Sequence, residues 1–337
     1  MGGDRDGARA ATGRRALITG ISGQDGSYLA ELLLAKDYSV YGLVRAASTP
    51  HVERLESILD SITLLPGDLD DQASLVAALS TSRPHEVYNL AAWSSVQSHE
   101  QPLHSAEISA LGALRLMGAV HQTAPRARYF QATSSEVFSP VDGGPVNEGT
   151  PFHPASSHGV AKLMAHWATI NQREAYGMHA SSGILLPHAS PRQSGEALCQ
   201  RVASAAARAS AGQRVELLLR DLDALREWGH ARDTVDAIWR MLQRDEPRDL
   251  VIATGERHSL GEFCRLAFEY VDLDWLEYVR PEPASSSAVR TDDSLGDASR
   301  AREILGWAPR VSFPELVAEM VEAALAALPP QGRAGSS

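Results

Sequence analysis

The 337-residue sequence predicts an α/β fold in which a parallel sheet is doubly wound by helices. Short apolar strands alternate with longer stretches of helical periodicity through the first half of the chain. The first strand, 15–19, leads into a glycine-rich turn and then into a helix expected over 27–35. Small and polar residues follow several later strands, at the edge where open parallel sheets bind their ligands.

The composition excludes several functional classes. The net charge is −11, and the sequence has no stripe dense in Lys and Arg. Both features argue against a nucleic-acid-binding surface. No apolar run reaches the ~18 residues that a membrane span needs. The two cysteines, Cys199 and Cys264, indicate a reducing cytoplasm and exclude a disulfide scaffold or a Cys-rich zinc site. The histidines lack metal-ligand spacing with carboxylates, so we predict no metal site.

The turn after the first strand is built to approach a pyrophosphate. Gly20, Gly23 and Gly26 follow a G-x-x-G-x-x-G spacing, with Gln24 and Asp25 between the last two. Glycines let the backbone come close to the phosphates, and the following helix offers N–H groups and a partial positive charge. The motif therefore predicts a dinucleotide site.

The next strands indicate which dinucleotide is bound. A strand over Ser39–Val44 ends at Arg45, where an acidic residue would bind the ribose 2′-OH of NAD. An arginine instead suits a 2′-phosphate, which favours NADP. A strand over Leu64–Leu69 is expected to bring Asp68 near the adenine, and small residues in a strand over Val87–Ala92 would pass close under the cofactor.

Two further stretches carry candidate chemistry. A strand from Tyr129 stops in Ser134, Ser135 and Glu136, which places hydroxyls and a carboxylate at the ligand edge. Further on, His158 and Lys162 precede or open a helix expected over 161–176. Residues four apart share one helix face, so this imidazole and ammonium form a plausible proton-handling pair.

Together these stretches resemble the extended short-chain dehydrogenase/reductase family, and within it the GDP-mannose 4,6-dehydratases. The resemblance extends from Arg15 to about Ala323 and implies a Rossmann-type fold with a smaller, interleaved C-terminal substrate lobe. The stretches that carry it are 16–32, 88–92, 131–136, 183–192, 226–233, 251–256 and 305–310.

The resemblance implies a role for each catalytic position. Glu136 would remove the proton at C5 of the sugar and protonate the leaving C6 hydroxyl. Ser134 would hydrogen-bond the C4 oxygen, and Lys162 would hold the nicotinamide ribose. The family's acid–base tyrosine is replaced here by His158. The net reaction would convert a GDP-sugar into its 4-keto-6-deoxy form, with NADP regenerated.

The resemblance also implies binding residues and partners. The expected cofactor contacts are Gly20, Gly23, Gln24, Asp25, Gly26, Arg45, Asp68, Leu69, Leu90, Ala91, Ala92, Lys162 and His188. The expected substrate contacts are Ser94, Ser135, Glu136, Arg192, Arg201, Arg226 and Arg290. A cytoplasmic homodimer or homotetramer is implied, with no nucleic-acid or membrane partner.

Departures from the family pattern keep alternatives open. Neutral His158 can accept a proton, but Lys162 and an oxidised cofactor both disfavour imidazolium. The expected sugar pocket also changes, with Trp93, Pro187 and Ala189 among the substitutions. The alternatives to a dehydratase are a GDP-sugar epimerase or oxidoreductase of the same family, and a catalytically weak paralogue that binds the nucleotide sugar.

The predicted domains interleave along the chain. Residues 14–189, with about 230–258, are assigned to the NADP-binding domain. Residues 190–229 and 259–328 are assigned to the substrate lobe, and 1–13 and 329–337 to disordered tails.

Overall fold

The structure is a computed structural model that describes residues 13–45, 52–93, 95–138, 144–282 and 294–329. Most of the two expected tails therefore lies outside the described residues. Contacts within the chain define two compact units. The first comprises residues 1–133, 156–183 and 238–249, and the second comprises 134–155, 184–237 and 250–337.

Helices and strands alternate as the hydrophobic periodicity predicts. The strands are β1 Arg15–Thr19, β2 Ser39–Val44, β3 Ile62–Pro66, β4 Glu86–Asn89, β5 Arg128–Ser134, β6 Ala180–Leu185, β7 His188–Ala189, β8 Leu217–Leu219, β9 Leu225–Glu227, β10 Gly229–His230, β11 Leu250–Ile252, β12 Arg257–Ser259 and β13 Val279–Pro281. The α-helices are α1 Gln24–Leu34, α2 Gln72–Ser82, α3 Ser95–Glu100, α4 Pro102–Ser105, α5 Gly112–Thr123, α6 Ser157–Tyr176, α7 Leu198–Ser210, α8 Ala231–Gln243, α9 Leu260–Glu269, α10 Ser299–Leu305 and α11 Phe313–Ala326. Short 3₁₀ segments cover Val52–Ser61, Ser135–Val137 and Trp275–Glu277, and a π-helical turn covers Ala106–Leu111.

The central sheet confirms the predicted fold class. Its seven strands run in the order β11-β6-β5-β4-β1-β2-β3, and β1 pairs in parallel with both β2 and β4. The strand order reverses between β1 and β4, which is the topological switch point where open α/β sheets bind ligands. Among the described residues, three small additional sheets contain two strands each.

Element bounds agree closely in some places and differ in others. Strand β2 has the predicted bounds. We predicted that Asp68 would lie within a strand over Leu64–Leu69. Strand β3 instead ends at Pro66, so Asp68 lies in the turn before α2. The predicted start of α6 at Ala161 is also wrong. The Ser156 hydroxyl accepts from Gly159 N at 2.9 Å and caps the helix, which therefore begins at Ser157 and includes His158 in its first turn.

Each unit has its own hydrophobic core. In the first unit, residues from β1, α2, α5 and β5 pack together, with Leu17, Leu116 and Tyr129 fully buried. In the second unit, α7, α9 and α11 pack on one another, and the rings of Trp228 and Phe313 stack at 5.6 Å between centroids. No described helix is both long enough and apolar enough to span a bilayer.

The bounds of the two units differ from the sequence-based division. Residues 134–155, 184–189, 230–237 and 250–258 belong to the second unit, although we assigned them to the NADP-binding domain. The first two segments begin where β5 and β6 approach their carboxyl ends, where the chain leaves the sheet. Which unit supplies substrate contacts stays a prediction.

Candidate functional site

Two glycines of the glycine-rich turn have no room for a side chain. Gly20 has a φ of +71°, and a Cβ there would lie 2.9 Å from Ala91 N. A Cβ on Gly26 would lie 2.2 Å from Gly20 O. Gly23 caps α1 and has no side chain of its own to occupy the helix N-terminus. The turn therefore packs tightly against the end of β4 and leaves backbone N–H groups able to face an anion.

Buried polar side chains tie the carboxyl ends of three strands together. Thr19 Oγ1 donates to Asn89 Oδ1 at 2.7 Å, and Asn89 Nδ2 donates to Gln131 Oε1 at 2.9 Å. Ala91 N donates to Thr19 Oγ1 at 3.2 Å. These bonds link β1, β4 and β5, so they set the spacing of the backbone at the switch point.

The other expected cofactor residues of the first unit lie at several strand ends. Arg45 directly follows β2 and is exposed. Asp68 is half-buried after β3, and its backbone N–H donates to Ser74 Oγ at 3.0 Å. Leu69 is buried, whereas Leu90 is half-buried after β4. Ala91 and Ala92 continue from Leu90, beside the turn. All of them follow carboxyl ends of strands in the sheet, as expected for a dinucleotide site.

Lys162 is a buried cation anchored to the neighbouring strand. Its side chain is 6% exposed, and its Nζ donates to Ala132 O at 2.9 Å. Ala132 lies in β5, two residues before that strand ends. A buried ammonium needs hydrogen-bond acceptors to offset lost hydration, and this carbonyl holds it near the ligand edge of the sheet.

His158 lies one helical turn before Lys162 and is also buried, with 8% exposure. The pKa of His158 is lowered from 6.5 to about 3, mainly by burial and to a lesser extent by the positive charge of Lys162. A hydrogen bond with the backbone of Trp93 opposes these effects on the pKa. His158 is therefore a neutral imidazole at physiological pH, and charging it costs free energy.

A short chain of hydroxyls reaches the His158 ring. Ser98 Oγ lies 3.5 Å from His158 Nδ1, and Ser105 Oγ donates to Ser98 Oγ at 2.7 Å. Both serines are fully buried. Their hydroxyls can therefore orient the ring and supply or accept a proton at Nδ1.

The second unit contains the residues that follow β5. The Ser134 hydroxyl accepts from Glu136 N at 3.2 Å and so caps the 3₁₀ turn at 135–137. Ser135 is buried, whereas Ser134 and Glu136 are half-buried. The turn brings the predicted base, Glu136, directly after the strand end.

The remaining expected residues of the second unit are more scattered. His188 Nδ1 lies 2.8 Å from Leu186 O. Arg192 and Arg226 are half-buried, whereas Arg201 is exposed and donates to Leu218 O at 3.3 Å. Ser94 and Arg290, also expected to contact substrate, lie outside the described residues.

Three features of the site were missed at the sequence level. Ser98 and Ser105 approach His158, but isolated serines give no periodic signal. Asn89 and Gln131 are buried and hydrogen-bonded to each other. The presence of polar residues inside otherwise apolar strands could have indicated this pair. Ala132 acts through its carbonyl, which no side-chain pattern can indicate.

The turn, the strand order and the lysine of α6 fit one class of protein, the extended short-chain dehydrogenase/reductases, and the chain is a member of that class. The crystal structure of UDP-glucose 4-epimerase from Thermus thermophilus in complex with NAD is similar at a TM-score of 0.79 and 26% identity, covering 93% of this chain and 100% of that chain. DesIV, a dTDP-glucose 4,6-dehydratase from Streptomyces venezuelae, shares the fold at a TM-score of 0.81 and 21% identity, covering 92% of this chain and 96% of that one.

Comparison of the sequence with known proteins identifies the family within this class to which the chain belongs. Residues 17–320 match the model of GDP-mannose 4,6 dehydratase. The chain is 43% identical over 320 residues to GDP-mannose 4,6 dehydratase 1 of Arabidopsis thaliana, covering 91% of this chain and 88% of that protein. It is 39% identical over 356 residues to the Homo sapiens GDP-mannose 4,6 dehydratase, covering 95% and 94%. The chain therefore belongs to the GDP-mannose 4,6-dehydratase family, which confirms the resemblance.

Proposed function

We propose that the chain is an NADP-dependent GDP-mannose 4,6-dehydratase, a lyase that forms a 4-keto-6-deoxy sugar nucleotide. The observation that carries this proposal is similarity to GDP-mannose 4,6-dehydratases along nearly the whole chain. Glu136 adds support, because a reaction that removes water needs a group that can take one proton and return it. A simple 4-epimerase has less need of a carboxylate at this position.

The first unit fits a nicotinamide dinucleotide. Its glycine turn would hold the pyrophosphate against the N-terminus of α1, and Arg45 would meet a 2′-phosphate. Lys162 would hold the nicotinamide ribose. When bound, the nicotinamide supplies the hydride acceptor for C4 of the sugar and the hydride that C6 later receives. The arginine after β2 supports NADP over NAD.

Each proton in the proposed reaction has a protein group to receive it. His158 would take the proton of the C4 hydroxyl as C4 becomes a ketone, while the Ser134 hydroxyl donates to that oxygen. The ketone acidifies C5, so Glu136 would remove the C5 proton and pass it to the departing C6 hydroxyl, which leaves as water. After the hydride has returned to C6, the proton that His158 took from the C4 hydroxyl would go to C5, directly or by exchange through solvent, and leave the imidazole neutral again. Arg192, Arg201 and Arg226 would bind the diphosphate through charge-assisted hydrogen bonds.

One observation favours a second candidate function, a catalytically weak paralogue that binds the nucleotide sugar. The pKa of His158 is lowered to about 3, mainly by burial. An imidazole with so low a pKa is a weak base for a sugar hydroxyl. The remaining alternative, an epimerase or oxidoreductase of the same family, would use the same C4 oxidation with another outcome.

Homodimer or homotetramer formation and a cytoplasmic location belong to the same proposal. The side chains of Val160, Met164 and Trp167 are 57%, 42% and 54% exposed, and their spacing places them on one face of α6. An apolar helix face of this kind supports association with a second copy. Two buried free cysteines support a reducing compartment.

The purified protein, incubated with NADP⁺ and a panel of GDP- and dTDP-hexoses, tests the activity by mass spectrometry. We expect GDP-mannose to lose one water and dTDP-glucose to stay unchanged. An isomer of unchanged mass, identified by NMR, would instead make the chain an epimerase. Binding of GDP-mannose without turnover would favour the weak paralogue.

A further inference from the structure

Arg54 lies against the glycine-rich turn. Its Nη1 donates to Ser22 O at 3.0 Å, and Ser22 lies between Gly20 and Gly23. The side chain is half-buried. A guanidinium has five N–H donors, and this bond uses one of them. No other hydrogen bond to Arg54 is found within the ranges that the structure describes.

The position of Arg54 is set by the core next to it. Leu55, the following residue, is fully buried at 0% exposure. The 3₁₀ segment Val52–Ser61 packs against both α1 and β3. Arg54 therefore projects from an anchored segment, and its guanidinium is held at the turn.

Arg54 lies at the part of the predicted site where the adenosine ribose of the dinucleotide is expected to bind. Strands β1 and β2 are paired in register, with Thr19 opposite Leu43. Ser22 follows the end of β1 and Arg45 follows the end of β2, so both leave the sheet at the same edge. In dinucleotide-binding folds, the residue after the second strand meets the adenosine ribose. The contact with Ser22 brings Arg54 to that edge.

We propose that Arg54 is a second cationic ligand for the 2′-phosphate of NADP, acting with Arg45 to select NADP over NAD. The proposal rests on the proposed use of NADP. The planar fork of a guanidinium suits a phosphate, and Ser22 O orients the fork from behind. A group that only stabilised the turn would affect NADP⁺ and NAD⁺ alike, so discrimination between the two separates the roles.

Calorimetric titration of the full chain with NADP⁺, NAD⁺, adenosine 2′,5′-bisphosphate and 5′-AMP tests this assignment. We expect Arg54→Ala to raise the Kd for NADP⁺ and the bisphosphate about tenfold, while the Kd for NAD⁺ and 5′-AMP stays within about twofold. Arg54→Lys, which retains the charge without the fork, should fall in between. Arg126→Ala removes one exposed arginine near the start of β5 and serves as the matched charge control, with no change expected.

Equal weakening of all four ligands, or none, would overturn the role of Arg54. A wild-type protein that does not prefer NADP⁺ to NAD⁺ would also overturn it. If GDP-mannose is not dehydrated but NADP⁺ and NAD⁺ are still discriminated through Arg54, the proposed function fails and this assignment stands.

Discussion

The ammonium of Lys162 lowers the pKa of the His158 imidazole from one helical turn away, adding to the larger effect of burial. The same positive charge would stabilise a tyrosine phenolate at that position, because it attracts an anion and repels a cation. The pair therefore suits an acid–base tyrosine better than a histidine.

Replacing the histidine with tyrosine should increase activity. We expect His158→Tyr to raise kcat for GDP-mannose about tenfold, since positioned proton transfer contributes on this scale or more. The matched control, His158→Phe, fills similar space without a proton acceptor and should be slower than the wild type. Steady-state kinetics of the three proteins check this. A tyrosine variant no faster than the phenylalanine variant would mean that the changed sugar pocket limits the rate.

The buried imidazole should also make stability depend on pH. The pKa of His158 is about 3 in the folded protein and about 6.5 when exposed, so the unfolded state binds more protons between these values. The free energy of unfolding should therefore be highest above pH 6.5 and fall as the pH drops towards 3. One such proton contributes a slope of about 1.4 kcal/mol per pH unit.

Denaturant unfolding of the wild type and of His158→Phe at several pH values measures that slope. The variant should lose less stability on acidification than the wild type does. His166 and His230, whose pKa values are also lowered by burial, remain in both proteins and cancel in the comparison. Identical slopes would contradict a buried neutral His158.

Two glycines should respond in opposite ways to alanine. Gly26→Ala places a methyl group 2.2 Å from Gly20 O. We therefore expect the free energy of unfolding to fall by about 2 kcal/mol. We also expect the variant to lose NADP⁺ binding. Gly118 is exposed within α5 and has nothing within 4 Å of an added Cβ. Gly118→Ala should stabilise by about 0.5–1 kcal/mol. Thermal unfolding and NADP⁺ titration measure both; a tolerated Gly26→Ala would contradict the close approach in the turn.

The two thiols should be unreactive in the folded protein. Cys199 and Cys264 are buried, and burial raises the pKa of each to about 12. Thiolate is the reactive form, so labelling by iodoacetamide at mildly alkaline pH should be slow. Addition of denaturant should release both thiols. Fast labelling of either in the native protein would place it at the surface.

The sequence predicted the fold well where the signal is local. The bounds of β2 were predicted correctly because an apolar strand stands between turn residues. The start of α6 was misplaced, because the cap depends on how the Ser156 hydroxyl meets Gly159 N. Contacts between residues far apart in the sequence were not predicted. Arg54 and Ser22 are 32 positions apart, and Ser98 and His158 are 60 positions apart.

Dehydration of GDP-mannose by this protein requires deprotonation at C5. Incubation of GDP-mannose and NADP⁺ with the protein in D₂O, followed by mass spectrometry and NMR, follows both events in one experiment. We expect a product that has lost one water and carries one solvent deuterium at C5. The nearly isosteric Glu136→Gln variant, which lacks the base, should form little of this product. GDP-mannose that binds but keeps its mass and its C5 proton would show that the protein is not a dehydratase.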